Sequence, residues 1–424
     1  MASSSTDRAA KCRKLHFLRM KLPHMSKTAL QSVLLEVRQH GIPEYDRRQD
    51  QLAGLRDELA QHCAYGNLLQ ETAFENVDGS HQTQLMVNPL SLLHGSISQG
   101  GSYEELVLRT LRRTKCDADN PWNLVIYCDE VVPGNPLAVR LDRKAHLFYF
   151  TFLEFGQRAL SNTAAWLICG LHTSVSVQAM SAGVSQLMAK VVKAFFCAES
   201  CDVLDGGLFV KLSTGRTISL HFQMGIFLQD GAAHKAVFCL KADSGCRFCI
   251  LCKNMFCSYS KDSDATDTAN EDDSPEDGLI CTTCKYSDLV LATDADVLQA
   301  ADRLAQRAQE LDTRTMRQWE TAVGMTHQPH SILLDKDLRE KGLIAPVSQY
   351  VHDAMHALAS SGALHTVVYL FLSALQAAKV PIYSLLADYI NAWTLPKQHA
   401  FQISQLTKLF TSKKAEGYRI HSSL

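Results

Sequence analysis

The sequence has no apolar run approaching the ~20 residues that a membrane span requires. Its first residues, Met1 to Lys14, are polar and basic and lack the apolar core of a secretory leader. A membrane partner and secretion are therefore not expected. No charge of one sign prevails either: 42 Lys and Arg against 44 Asp and Glu leave a net charge of −2, which argues neither for nor against a polyanionic partner. No internal repeat is visible. What is present is ordinary for a folded chain, with 46% hydrophobic and 20% charged residues over 424 positions, enough for two or three domains and too apolar for a largely disordered protein.

Fourteen cysteines in so long a chain, several of them in CxxC pairs, do not resemble the disulfide framework of a small secreted domain. They point to a reducing compartment, nuclear or cytoplasmic, with some thiols holding metal. Cys246-Arg-Phe-Cys249-Ile-Leu-Cys252 is answered by Cys281-Thr-Thr-Cys284. Two such knuckles can close a tetrahedral thiolate site, and a closed site of four thiolates makes its zinc structural. Cys249, Cys252, Cys281 and Cys284 are the expected ligands, with Cys246 as a spare or a replacement; Cys257 is less well placed. Redox chemistry and unliganded core thiols remain the alternatives.

Between the knuckles, Ser258 to Gly278 carries eight acids against one lysine, and this composition predicts a disordered acidic loop over 258–278. Upstream, residues 1–25 read as a basic flexible arm. Arg109, Arg112, Arg113 and Lys115 form a second basic cluster, suited to phosphate or to plain solvent exposure. Leu30, Val33, Leu34 and Val37 mark an amphipathic helix after Ser26, and a second helix is expected from Glu44 to about His62. Residues 26–120 thus read as a helical N-terminal region.

From Asn123 the pattern changes. Leu124-Val125-Ile126-Tyr127-Cys128 has the continuous apolar character of a buried strand and ends in Asp129-Glu130. His146 to Phe155 reads as its strand partner, the stretch between Ser181 and Cys197 as a core-packing helix with Val184, Leu187, Met188, Val191, Val192 and Phe195 on one face, and Leu208 to Leu212 and Thr217 to Leu228 as further strands, the last running into Asp230. Helices are expected over Asp288 to Leu311, Val347 to about Gln376, Ile382 to Trp393 and near Phe401 to Phe410.

Asp129 and Asp230 each end an apolar strand. Hard carboxylate oxygens in such places suit Mg²⁺ or Mn²⁺, although a strand-end Asp also serves as a turn or helix cap. The segments Ile126 to Leu137, Phe227 to Lys235, Cys246 to Asn254 and Ser348 to Leu358 resemble multi-copy, transposon-derived reading frames of protist genomes and, more distantly, Plavaka- and KDZ-type DDE transposases. The resemblance implies an α/β core of the RNase H-like kind over 121–245, a zinc-binding insertion over 246–287, and a helical C-terminal part over 288–424 that completes the core. It implies DNA strand cleavage and transfer by two-metal phosphoryl transfer, with DNA as partner. Asp129, Asp230 and Asp353 are then the metal-binding acids, and Glu130 is a substitute for Asp129.

The D-x-M-H motif of the family matches Asp353-Ala-Met-His356, but Ala357 and Ser360-Ser361-Gly362 stand where the family motif continues with an acid and a Glu-Gly pair. Asp353 is thus either the third acid or only a helix cap. His352 and His356, four apart, would share one face of a helix, where they either bind metal or pack the helix start. Two other outcomes stay open: a catalytically degenerate remnant that still binds DNA, and a zinc-stabilised interaction protein. Homo-oligomerisation is left open. If the acids serve chemistry, removing Asp129 or Asp230 should be neutral or mildly stabilising without metal.

Overall fold

In the computed structural model, the apolar run after Pro121 is strand β3, Trp122–Val131, at the centre of a five-stranded sheet. The structure describes residue 35 and residues 64–132, 144–256, 289–358 and 363–392. The basic arm, nearly all of the helices expected before residue 63, the acidic loop, Cys257, Cys281, Cys284 and the helix expected near residues 401–410 lie outside them. The chain divides into units Met1–Leu59 and Ala60–Leu424, and the strands and helices named below all belong to the second.

The region expected to be wholly helical up to residue 120 contains an antiparallel hairpin, β1 (Leu69–Glu75) and β2 (His81–Val87), turning at Asp78-Gly79. Helices α1 (Pro89–Ser98) and α2 (Ser102–Leu111) follow it. Asn88 starts α1: its side-chain oxygen accepts from the Leu90 and Ser91 amides at 3.1 and 3.2 Å, and Pro89 fills the first turn, where no amide proton is needed.

β4 (Ala145–Phe152) pairs antiparallel with β3, and β5 (Leu167–Thr173) antiparallel with β4. β8 (Phe222–Gln229) then lies parallel to β3 on its other side, and β9 (Tyr350–His352) parallel to β8, giving the order β5-β4-β3-β8-β9. One face of this mixed sheet is sealed. Trp122, Leu124, Ile126 and Cys128 of β3 and Phe148, Phe150 and Phe152 of β4 are buried there, and Phe150 meets Phe195 of helix α3 (Val184–Phe196) edge to face at 4.9 Å. The stripe read from the sequence, Val184, Leu187, Met188, Val191, Val192 and Phe195, is the buried face of α3.

The strand expected from Thr217 to Leu228 is broken. β6 (Leu208–Lys211) and β7 (Thr217–Leu220) form a separate hairpin, and the chain enters the central sheet only after His221. His221 makes the switch: its amide donates to the Cys116 sulfur at 3.3 Å and its carbonyl accepts from the Trp122 amide at 2.8 Å. After β8 come α4 (Gly231–Val237), the cysteine segment, and helices α5 (Asp294–Glu310) and α6 (Thr313–Val323).

The helix expected from Val347 onward begins instead as strand β9. Phe227 donates its amide to the Gln349 carbonyl at 2.8 Å, and the Gln349 side chain donates to the Met224 carbonyl at 3.1 Å, so edge pairing overrides the local helical pattern. Helices α7 (Ala354–Leu358), α8 (Ala363–Ala377) and α9 (Ile382–Asn391) follow. No helix among the described residues is long and apolar enough to cross a membrane.

Two histidines are folded into this architecture as neutral rings. His172, 2% exposed on β5, is held down to about 4 by burial and then by His146. His234, 7% exposed on α4, is held down to about 3 by burial and then by His352. Because each folded value lies below the unfolded one, the unfolded chain takes up protons first. Their contribution is therefore complete at neutral pH and is lost as pH falls from ~6.5 toward 4, by on the order of a few kcal/mol. Denaturant midpoints measured between pH 7 and pH 4.5 should fall steadily, and less so in His172→Gln; equal slopes in the two proteins would contradict this.

Candidate functional site

The register of three parallel strands decides where the acids lie. β3 and β8 are matched as Val125 with Ile226, Ile126 with Phe227 and Tyr127 with Leu228, after an irregularity between Leu124 and Val125. Gly225 permits that irregularity, since a Cβ there would lie 2.6 Å from the Asn123 Cβ. Two further steps bring Asp129 beside Asp230. β8 and β9 are matched as Gln229 with His352, one step short of Asp230 beside Asp353, and the Asp353 amide donates to the Gln229 carbonyl at 2.9 Å. Asp129, Asp230 and Asp353 thus form a row at the carboxyl ends of three adjacent strands. Alternation puts all three on the face of Tyr127, Leu228 and Val351, opposite the sealed core face.

Each acid has a different environment. Asp129 is half-buried, and its carboxyl is pushed up by burial and then by the charge of Asp230, against weaker pulls from the Glu130 amide, His356 and the Tyr127 hydroxyl. Asp230 caps α4, its Oδ1 accepting from the Ala233 amide at 2.6 Å. Asp353 likewise accepts from the Met355 amide at 2.9 Å through Oδ1. The remaining Oδ2 atoms both face His356, at 2.8 Å from Nδ1 for Asp353 and 3.9 Å from Nε2 for Asp230. Burial raises the Asp353 carboxyl, but hydrogen bonds from His356 and Met355 outweigh it and the net shift is downward; the same Asp353 bond raises His356.

Tyr127 senses the whole row. Its hydroxyl is pushed upward by burial and then by Asp129, Asp353 and Asp230 in turn.

The donor set suits a hard divalent cation: three carboxylates, two of them close enough for one to raise the other, which is repulsion that a cation relieves. Among the described residues, however, no group of three or more His, Cys, Asp or Glu side chains is gathered tightly enough to hold a metal ion as it stands. His356 lies between Asp230 and Asp353, hydrogen-bonded to the second through Nδ1.

Several sequence expectations are corrected by this geometry. Glu130 is no substitute for Asp129, because adjacent strand residues face opposite ways; Glu130 accepts from Lys144 Nζ at 2.8 Å and from Ser174 Oγ at 2.6 Å. His352 and His356 do not share a helical face, since His352 ends β9 and hydrogen bonds the Tyr350 hydroxyl while His356 lies on α7. Arg113 of the second basic cluster is engaged with the chain itself, donating through Nη2 to the carbonyls of Glu154 and Phe155 at 2.6 and 2.7 Å.

Cys246, Cys249 and Cys252 lie on a tight curl. Arg247 bridges Phe256 across it, and Arg247 Nε donates to the Cys252 carbonyl at 3.1 Å. The chain returns alongside at residues 290–292, where Lys253 donates its amide to Val290 and Ala292 donates to Leu251, at 2.7 and 2.9 Å. Gly324, left-handed at the end of α6, lets that helix abut the curl: a Cβ there would stand 1.9 Å from the Arg247 carbonyl oxygen.

Tyr127 and Tyr149 were not foreseen as parts of the site; His356 was, through its motif and as a possible metal ligand, and it lies beside the acids as their hydrogen-bond partner. For Tyr127 the signal was available, because it is two residues from Asp129 on a strand and so shares its face. No protein-family model matches the sequence, and no curated protein matches it.

Proposed function

We propose that this chain is a transposase-like nuclease core that cleaves and joins DNA strands with two divalent cations. One observation carries the reading: three aspartates at the carboxyl ends of three adjacent parallel strands, on one face of the sheet. The sheet adds support. An antiparallel meander of three strands, extended on the side of its first strand by two parallel ones, is the arrangement expected of an RNase H-like core.

Mg²⁺ or Mn²⁺, when bound, orients an attacking water or hydroxyl and stabilises the leaving oxygen of a phosphodiester. The chain supplies the rest. Asp129, Asp230 and Asp353 furnish ligand oxygens, their backbones fixed by the ladder. The capping bonds of Asp230 and Asp353 hold one oxygen of each carboxylate still and leave the other for the cation. Without metal, His356 hydrogen bonds Asp353 and faces Asp230, and it would have to turn aside for a cation to reach both.

In the same reading the cysteine curl is half of a structural zinc site, with Cys249 and Cys252, or Cys246 in place of one of them, joined by Cys281 and Cys284. The return of residues 290–292 to the curl supports this, because it carries the chain following the second knuckle back to the first.

A catalytically silent remnant that binds DNA is the second reading. It draws on the capping roles of Asp230 and Asp353, which would keep these acids in place after activity was lost. Incubation of purified protein with supercoiled DNA and Mg²⁺ separates the two. Nicking that disappears in Asp129→Ala supports the nuclease, and intact DNA under Mg²⁺ and Mn²⁺ alike supports the remnant.

A further inference from the structure

The sheet face that carries the carboxylate row is only partly covered: Val125, Leu147 and Thr151 on it are buried, and the residues between them are not. Leu228, Tyr127, Tyr149 and Ile168 run across it in register from β8 to β5, the first three half-exposed and Ile168 46% exposed. The Tyr127 and Tyr149 rings lie side by side, 6.0 Å apart and tilted by 32°. Trp166, also half-exposed, meets Tyr127 at 68° with centroids 6.4 Å apart, and its indole N–H is tied to the Leu160 carbonyl at 2.9 Å. The result is a corner of two tyrosine rings and one indole.

We propose that Tyr127, Tyr149 and Trp166 are a stacking platform for an unpaired nucleobase of single-stranded DNA whose phosphate lies against the carboxylate row. The place beside the scissile bond, and a phosphate lying against three carboxylates, rest on the nuclease reading and its cations, while the stacking of a base on the rings does not. Three features favour a base over an aliphatic occupant. Three aromatic rings cluster on this face between Leu228 and the exposed Ile168 and Leu171, and every base presents a π-face to such rings whatever its sequence. The rings are packed before any ligand arrives, Trp166 tied to the Leu160 carbonyl and Tyr127 set between Trp166 and Tyr149, so little side-chain freedom is lost on binding.

The platform is also continuous with the acids. Tyr127 and Asp129 are two residues apart on one strand face, about 7 Å, the scale of one nucleotide. Tyr149 is close enough for the charge of Asp129 to add to the upward push that burial gives its hydroxyl.

The competing outcome is that the face is covered by the chain itself. Helix α8 exposes Leu364, Val367, Leu370 and Phe371, and it would seal the sheet by apolar packing alone. Binding and melting measurements distinguish the two. With the full chain in Ca²⁺ buffer, a fluorescein-labelled 20-nucleotide single strand should bind. Tyr149→Ala and Trp166→Ala should each weaken it by about 5- to 100-fold, in line with ~1–3 kcal/mol per stacked base. Tyr149→Phe should stay within about twofold of the parent, and duplex of the same sequence should respond to none of the three, because its bases are already stacked on one another.

Parental single-strand affinity in Tyr149→Ala overturns the proposal, and a drop in melting temperature in that variant then assigns the face to internal packing. A parent that binds no single strand overturns it as well. The two readings fail separately. Nicking that depends on Asp129, with parental single-strand binding in Tyr149→Ala, removes the platform and keeps the nuclease. Single-strand binding that depends on Tyr149, with no nicking by any form, does the reverse.

Discussion

Asp129→Ala should reduce Mg²⁺-dependent nicking by at least about a thousandfold while melting no lower than the parent in metal-free buffer at pH 7. The two outcomes share a cause. The Asp129 carboxyl is raised by burial and by Asp230, so the folded chain holds its proton more tightly than the unfolded chain. Stability then declines as pH rises from the unfolded value through the folded one, and at pH 7 the ionised group is a liability that only a cation removes. Asp129→Asn should behave in the same way, and either advantage should vanish near pH 3, where the parent is protonated.

Asp230 follows a different rule. From the sequence, its removal was expected to be neutral or mildly stabilising, as for Asp129, but its Oδ1 caps α4 through the Ala233 amide. Asp230→Ala should therefore abolish nicking and also cost about 1 kcal/mol. Asp230→Asn or Asp230→Ser, which keep a capping oxygen, should recover the stability and not the activity. Thermal melts of this series with and without EDTA check the pattern. A marked loss of stability in Asp129→Ala would make that acid structural.

Zinc removal should have the largest effect on stability. Protein purified without chelator should contain about one zinc per chain, and Cys281→Ser should lower both metal content and stability. Structural zinc sites of this type contribute on the order of 10 kcal/mol of apparent binding free energy, which at such a site is folding free energy. Loss of the metal should be felt first in the curl at residues 246–256 and in its pairing with residues 290–292. Amide exchange should rise there while β3 and β4 stay protected. Metal analysis that finds no zinc contradicts the assignment.

The parts of this molecule that could be read from the sequence are those where one segment carries its own period. The stripe from Val184 to Phe195 could be assigned to a core face because a helix repeats every 3.6 residues, and the run from Leu124 to Cys128 is apolar on both faces. Asp129 and Asp230 stood out because each ends such a run. β9 has three residues and no period, so a helical pattern further along masked it, and only its pairing with Phe227 and Gln229 defines it. Asp353 was chosen from its motif, but its neighbour Asp230 comes from the β8–β9 register, which no single segment contains.

Two features were legible and overlooked. Strand alternation separates Glu130 from Asp129, and Asp78-Gly79 between alternating segments is a hairpin turn signal. The Tyr127–Tyr149–Trp166 corner was not legible. Tyr149 reaches Tyr127 across the β3–β4 register, and Trp166 arrives from the end of the connection between β4 and β5.

The claim on which the rest depends is that Asp129, Asp230 and Asp353 together hold divalent cations. Anomalous diffraction from crystals of the full chain grown with Mn²⁺ and a DNA oligonucleotide tests it most directly. The account predicts two peaks about 3.5–4 Å apart, with carboxylate oxygens from Asp129 and Asp230 bound and His356 turned away from Asp230. Crystals at saturating Mn²⁺ with no peak at these acids, and with His356 still between Asp230 and Asp353, would contradict it.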